Sequence, residues 1–272
     1  MSELVDAVGA VHPRVTAPPR IVCLVPSITE LLCDLGLADC LVGRTGFCIH
    51  PRDVVRRIPK LGGTKDVDLA ACRALAPTHA IVNIDENTRD TADALRQFVP
   101  HVVVTPPVAP EDNPPLYRLV GGIFGHDAEA ARLCAAFDDA LASATGMSAS
   151  PQRVLYLIWR EPWMTVARDT YISRMLALFG WQTWPSDSTQ RYPTLALDEC
   201  RGRVDRVLLS SEPYPFRDKH LLEVQRLLPR VPVETIDGEM VSWYGSRAIA
   251  GLRYLADYVQ TRTDQPEATH GG

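Results

Sequence analysis

Three short stretches concentrate the side chains that could grip a ligand. Trp159-Arg160-Glu161-Pro162-Trp163-Met164 places two indoles, a guanidinium and a carboxylate within six residues. Ser211-Glu212-Pro213-Tyr214-Pro215-Phe216 and Ser242-Trp243-Tyr244-Gly245-Ser246-Arg247 repeat the theme of aromatics beside one charge. Aromatic rings give broad apolar contact to a macrocycle or flat chelate, and an arginine fork (Arg160 or Arg247) can orient a carboxylate. The bland reading is that at least one tryptophan packs into a core. Pro26-Ser27-Ile28-Thr29 offers hydroxyls and free helix-start N–H groups, suited either to an anionic group or to a plain helix cap. Glu86, in Asp85-Glu86-Asn87, is a ligand-facing acid or a cap. Tyr192 is a ligand contact or an exposed loop residue.

Metal and acid–base chemistry have weaker support. His50, His79, His101, His126 and His220 are scattered, with no H-x-x-x-H pair. Phe47-Cys48-Ile49-His50 supplies one sulfur and one imidazole, at most half of a four-ligand site; otherwise Cys48 is a small core residue. Phe47 joins the ligand-binding candidates, and no protein-built metal site is expected. A prechelated metal needs none, because its own macrocycle or siderophore supplies the donors. Arg160, Glu161, Arg168, Glu212, Asp237 and Glu239 would support acid–base work if they converged. They come without a G-x-S-x-G elbow, a P-loop or a dinucleotide fingerprint. Gly62-Gly63-Thr64-Lys65 lacks the glycine spacing and preceding strand of a phosphate loop. A binding protein without catalytic residues is therefore favoured. The alternative is an enzyme, or a cytoplasmic sensor or carrier on the same fold.

Bulk properties narrow the partners. The 272 residues carry a formal charge of -5, which argues against the clustered basic surface that nucleic acid requires. No apolar run approaches the ~18 residues of a membrane span. Met1 to Arg20 shows no basic start followed by an apolar run, so a cytoplasmic location is expected, or a periplasmic one if a signal has been removed. Seven cysteines, an odd number without a close C-x-x-C pair, are expected to be free thiols.

The elements that must position these loops alternate strand and helix, the pattern of α/β lobes built on parallel sheets. Arg20–Pro26, Thr78–Ile84 and His101–Thr105 read as strands, with helices at Ser27–Leu35, Asp68–Leu75 and Thr88–Phe98. Beyond the Pro-rich turn 106–115, Leu116–Thr145 reads as a long helix with a break near Gly121, Gly122 or Gly125. The order then repeats: strand Arg153–Trp159, helix Tyr171–Phe179, short helix Leu195–Arg201, strand Arg206–Ser210, helix Lys219–Leu228, strand Pro232–Ile236 and helix Ser246–Thr261. The candidate loops follow strands, where parallel sheets collect ligands.

RIVCLVPSITELLCDLGL, GGTKDVDLAACRALAPTHAIVN, VDRVLLSSEPYPF and IDGEMVSWYGSR together resemble the helical-backbone substrate-binding proteins of ABC importers, of the cobalamin, siderophore and haem type. The likeness covers about residues 20 to 260. It implies two α/β lobes joined by a single long backbone helix, with the ligand in the cleft between them. The boundaries expected are a flexible segment 1–19, lobes 20–115 and 151–262, a connecting helix 116–150 and a disordered tail 263–272. It implies no tightly bound cofactor, a metal chelate such as cobalamin, haem or an iron-siderophore as ligand, and an ABC permease as partner. It further implies one acid per lobe that meets permease arginines; Glu86 and Glu212 are either those docking acids or ligand-facing groups, with the cleft favoured for Glu212.

Overall fold

Two parallel sheets organise the chain in the computed structural model, which describes residues 3–106, 109–145 and 150–263. The chain divides into a unit of Met1–Pro107, Glu111–Phe137 and Tyr244–Arg247 and a unit of Val108–Pro110, Asp138–Trp243 and Ala248–Gly272.

In the first unit, β1 (Ile21–Cys23) is flanked by β2 (Leu41–Arg44) and β3 (His79–Asn83), and β4 (His101–Thr105) extends the sheet beyond β3. All pairings are parallel. The strand cores are apolar on both faces, as burial on both sides demands. Val22, Leu24, Ala80, Val82, Val102 and Val104 pack with Leu61, Cys72 and Leu95. Helix α1 (Pro26–Asp34) follows β1, with α2 (Arg52–Val55), α3 (Leu69–Ala74) and α4 (Arg89–Arg96) later in the chain. Asp68 caps α3 and Thr88 caps α4, each accepting an N–H three residues on. Pro26 sits in the first turn of α1, where a missing N–H costs nothing, and Val25 is the cap. Neither Ser27 nor Thr29 caps the helix, because its start lies earlier than the hydroxyls suggest.

The N-terminal residues, expected to be flexible, are tied down from residue 3 onward. Val5 and Val11 form an antiparallel bridge, and Ala7 N–H donates to the Val104 carbonyl at 3.0 Å. The buried Asp6 carboxylate accepts from the N–H groups of Val8, Ala10 and Val104 and pairs with His12 at 3.0 Å.

The connecting stretch is broken near its glycines, as expected, into α5 (Asn113–Phe124) and α6 (Asp127–Thr145). The break is at Gly125, whose φ of 81° ends α5 in the left-handed region that glycine enters freely. The rest of that stretch, at 146–149, and the tail from 264 lie outside the described residues.

In the second unit, β5 (Gln152–Trp159) is central. On one edge it pairs with β8 (Arg206–Ser210), which pairs with β9 (Val233–Ile236), all parallel. Its other edge is shared by β6 (Met164–Thr165), antiparallel near Trp159, and β7 (Trp181–Thr183), parallel near Gln152. Helices α7 (Tyr171–Ala177), α8 (Asp218–Leu227), α9 (Gly238–Ser242) and α10 (Arg247–Thr263) complete it. The parallel order β7-β5-β8-β9 matches β2-β1-β3-β4, so the duplication expected from element order is present in the strand topology. Leu195–Arg201 contains a short 3-10 turn at Leu197–Cys200.

Candidate functional site

Trp159 is the last residue of β5, and Tyr214 and Phe216 follow β8, so parallel pairing carries their loops to one sheet edge. The rings meet there. Trp159 stands edge-on to Tyr214 at 5.5 Å between centroids, and Tyr214 tilts against Phe216 at 4.7 Å. Trp163 stacks on Phe216 at 6.2 Å with 4° between planes. Phe216 is buried, Trp163 and Tyr214 are half-buried, and Trp159 keeps 41% of its surface exposed. His220 of α8 supports the cluster from beneath, edge-on to both Tyr214 and Phe216. Burial, followed by the positive charge of Lys219, lowers the His220 pKa, so the imidazole stays neutral under the rings.

Arg160 does not face this platform as an unpaired guanidinium. It forks onto Glu223 of α8 with two contacts of 3.0 Å and also reaches Glu161. Tyr192, 43% exposed, lies under the Arg191 guanidinium, whose Cζ is 5.9 Å from the ring centroid.

Trp243 is buried, and its indole N–H donates to Glu212 Oε1 at 2.9 Å, alongside the Ser242 hydroxyl at 2.7 Å. Burial raises the Glu212 pKa, and these two donors act against that rise. Trp243 is thus an anchor of the second unit rather than an exposed contact.

Tyr244–Arg247 packs with the first unit instead of the C-terminal lobe where its place in the sequence puts it. The Tyr244 hydroxyl donates to Glu86 Oε1 at 2.5 Å. Burial and the neighbouring Glu86 carboxylate hold the Tyr244 pKa well above the phenol range, so it remains a donor. Gly245 N–H donates to Asn113 Oδ1 at 2.7 Å, and its carbonyl accepts from Tyr117 Oη at 2.8 Å. Arg247 forks onto Glu30 with two contacts of 2.7 Å. The Ser246 hydroxyl, a candidate cap for α10, is buried and makes no hydrogen bond among the described residues. Glu86 and Glu212 are therefore each engaged by hydrogen bonds within their own unit.

Ile28 and Thr29 are fully buried and Ser27 nearly so. Thr29 Oγ1 donates to the Val25 carbonyl at 3.0 Å and contacts Cys48 Sγ at 3.1 Å. These residues build the start of α1 and do not line a surface. Cys48 Sγ also meets Thr45 Oγ1 at 3.2 Å, which is the core reading of Cys48. Phe47 beside it is 62% exposed. No group of three His, Cys, Asp or Glu placed to hold a metal occurs among the described residues.

Residues 21–209 match the model of the periplasmic binding protein family. This chain belongs to that family. A vitamin B12-binding protein of Pectobacterium carotovorum is 20% identical over 243 residues, covering 88% of this chain and 87% of the relative. The periplasmic vitamin B12 binding protein BtuF of Vibrio cholerae superposes with a TM-score of 0.77 at 16% identity, covering 91% of this chain and 99% of that one. The periplasmic heme-binding protein RhuT of Roseiflexus sp. RS-1 in apo form gives 0.79 at 21%, covering 91% and 100%.

Three of the polar groups that would have supported acid–base work had they converged have other duties. Asp237 caps α9 through the N–H groups of Glu239 and Met240, Glu212 holds Trp243, and Arg160 holds Glu223. Two residues that shape the site escaped the sequence reading, His220 and Glu223. Their signal was a three-residue spacing on α8, which puts both on the face beneath the loop after β8.

Proposed function

We propose that the chain is the substrate-binding component for a metal-bearing tetrapyrrole, foremost a corrinoid, gripped through Trp159 and the half-buried Trp163 and Tyr214, with the buried Phe216 supporting them from the core. The observation that carries this reading is the exposed Trp159 face beside Tyr214 at the carboxyl edge of a parallel sheet. Relatives named for vitamin B12 and heme support the ligand class. Covering the open part of Trp159 removes about 100 Å² from water, worth about 2.5 kcal/mol at the usual coefficient. The ligand leaves unchanged, and the partner that takes it is a permease of the ABC type.

Tryptophan emission titrated with cyanocobalamin and with hemin tests the proposal. Binding tighter than about 100 μM, weakened about tenfold or more by Trp159→Ala with an unaltered circular dichroism spectrum, is the expected result. If neither compound binds in that range, the tetrapyrrole reading is wrong. One observation favours a second setting for the same site: all seven cysteines are free thiols, the state that a reducing compartment maintains. A cytoplasmic carrier fits that state, and cell fractionation decides between carrier and importer component.

A further inference from the structure

A second site lies in the first unit. After β2 the chain turns through 45–51 into α2, and that turn borders an open pocket of about 430 Å³. Five of its lining residues are Arg44, His50, Arg52, Arg56 and Lys60, and no Asp or Glu lines it. On a chain of formal charge -5, such a concentration of one sign needs an explanation.

Arg44 is the unusual member. It is only 5% exposed and has no carboxylate partner among the described residues. Its Nε donates to the Val55 carbonyl at 2.6 Å, and Nη1 donates to the carbonyls of Thr45 at 2.9 Å and Cys48 at 3.1 Å. These three bonds fix the guanidinium plane through Nε and Nη1, on opposite edges of it, and Nη2 makes no hydrogen bond among the described residues. They supply partial negative charge, not a countercharge, and a buried cation without one is costly. Arg52, Arg56 and Lys60 are exposed and likewise have no ion pair among the described residues. Two other arginines of comparable burial do carry a carboxylate: Arg206 pairs with Glu234 and Arg247 with Glu30.

We propose that this pocket binds a phosphate group, carried by a small organic molecule or free. A phosphate dianion presents several acceptor oxygens to arginine forks and tolerates lysine as a point charge. Its two charges compensate Arg44 and the rim, where a single carboxylate leaves a surplus. The volume lies within the usual range of small-molecule sites, roughly 300–1,000 Å³, which leaves room for an organic portion beside the phosphate. The site is independent of the tetrapyrrole reading, because none of its residues belongs to the aromatic platform.

The test is calorimetric titration of the full chain with inorganic phosphate and with glycerol 3-phosphate, at low ionic strength because salt screens the rim charges. Both are expected to bind below about 1 mM, and the monoester binding more tightly than the free ion identifies an organic phosphate as the occupant. The double substitution R52Q/R56Q changes only exposed side chains and is expected to weaken both ligands at least about tenfold. Phosphate binding that is no stronger than a chloride control of equal ionic strength overturns the assignment. So does phosphate binding that survives R52Q/R56Q unchanged, or citrate binding more tightly than phosphate.

Discussion

His79 makes the first unit acid-sensitive in a way that can be isolated. It is the first residue of β3, 4% exposed, and directly opposite His101 in the parallel register with β4. The two imidazoles stack at 4.8 Å, and Phe124 closes the other side edge-on at 5.0 Å. Burial, then His101, then His12 push the His79 pKa down from 6.5 to about 4. A base whose pKa falls on folding takes up its proton first in the unfolded chain. The stability it contributes is therefore complete above about pH 6.5 and lost as pH falls toward about 4. That difference is worth about 3 kcal/mol, a large share of the roughly 5–15 kcal/mol of a typical domain. Urea unfolding followed by far-ultraviolet circular dichroism at pH 7 and pH 4 would compare wild type with His79→Gln, which removes the titration. Wild type should lose about 3 kcal/mol more than the variant between the two pH values. Equal losses would refute the argument. Tryptophan emission does not substitute for dichroism here, because all five tryptophans belong to the second unit.

Gly245→Ala should cost about 1–2 kcal/mol, because φ is 79° and an added Cβ would stand 3.1 Å from the Ser27 carbonyl; calorimetric melting measures it. Trp243→Phe removes a donor from the buried Glu212 carboxylate and should cost about 1–3 kcal/mol in urea unfolding, while the tetrapyrrole titration stays unchanged. Thiol titration of the unfolded, unreduced chain should find all seven cysteines. The native thiols should react slowly at pH 8, since burial raises Cys72 to about 11 and both Cys33 and Cys200 to about 12.

The strands that were legible from sequence are those buried on both faces: IVC, HAIVN, QRVLYLIW and RVLLS are unbroken or nearly unbroken apolar runs. Those that were not legible carry little periodicity. Strand β2 is four residues long and includes Gly43, whose missing side chain leaves room for Leu61 and Leu75; β6 has two residues. The N-terminal bridge depends on Asp6 meeting Val104, 98 positions away, which no local pattern announces. The same division holds at the site. Trp159, Trp163, Tyr214 and Phe216 follow from the rule that loops after parallel strands share an edge. The burial of Trp243 depends on Glu212, 31 positions earlier, and the placement of Tyr244 depends on Glu86, 158 positions earlier.

Tyr244–Arg247 also sets a constraint on biosynthesis. These four residues supply the first unit with hydrogen bonds to Glu30, Glu86, Asn113 and Tyr117, yet they are translated after nearly all of the second unit. Domains generally fold as units in the order they emerge from the ribosome. Here the amino-terminal unit must wait, with Asn113 and Tyr117 lacking these partners, until some hundred further residues have been made. A nascent chain arrested anywhere before residue 244 therefore holds an unfinished first unit, whatever its own strands have achieved.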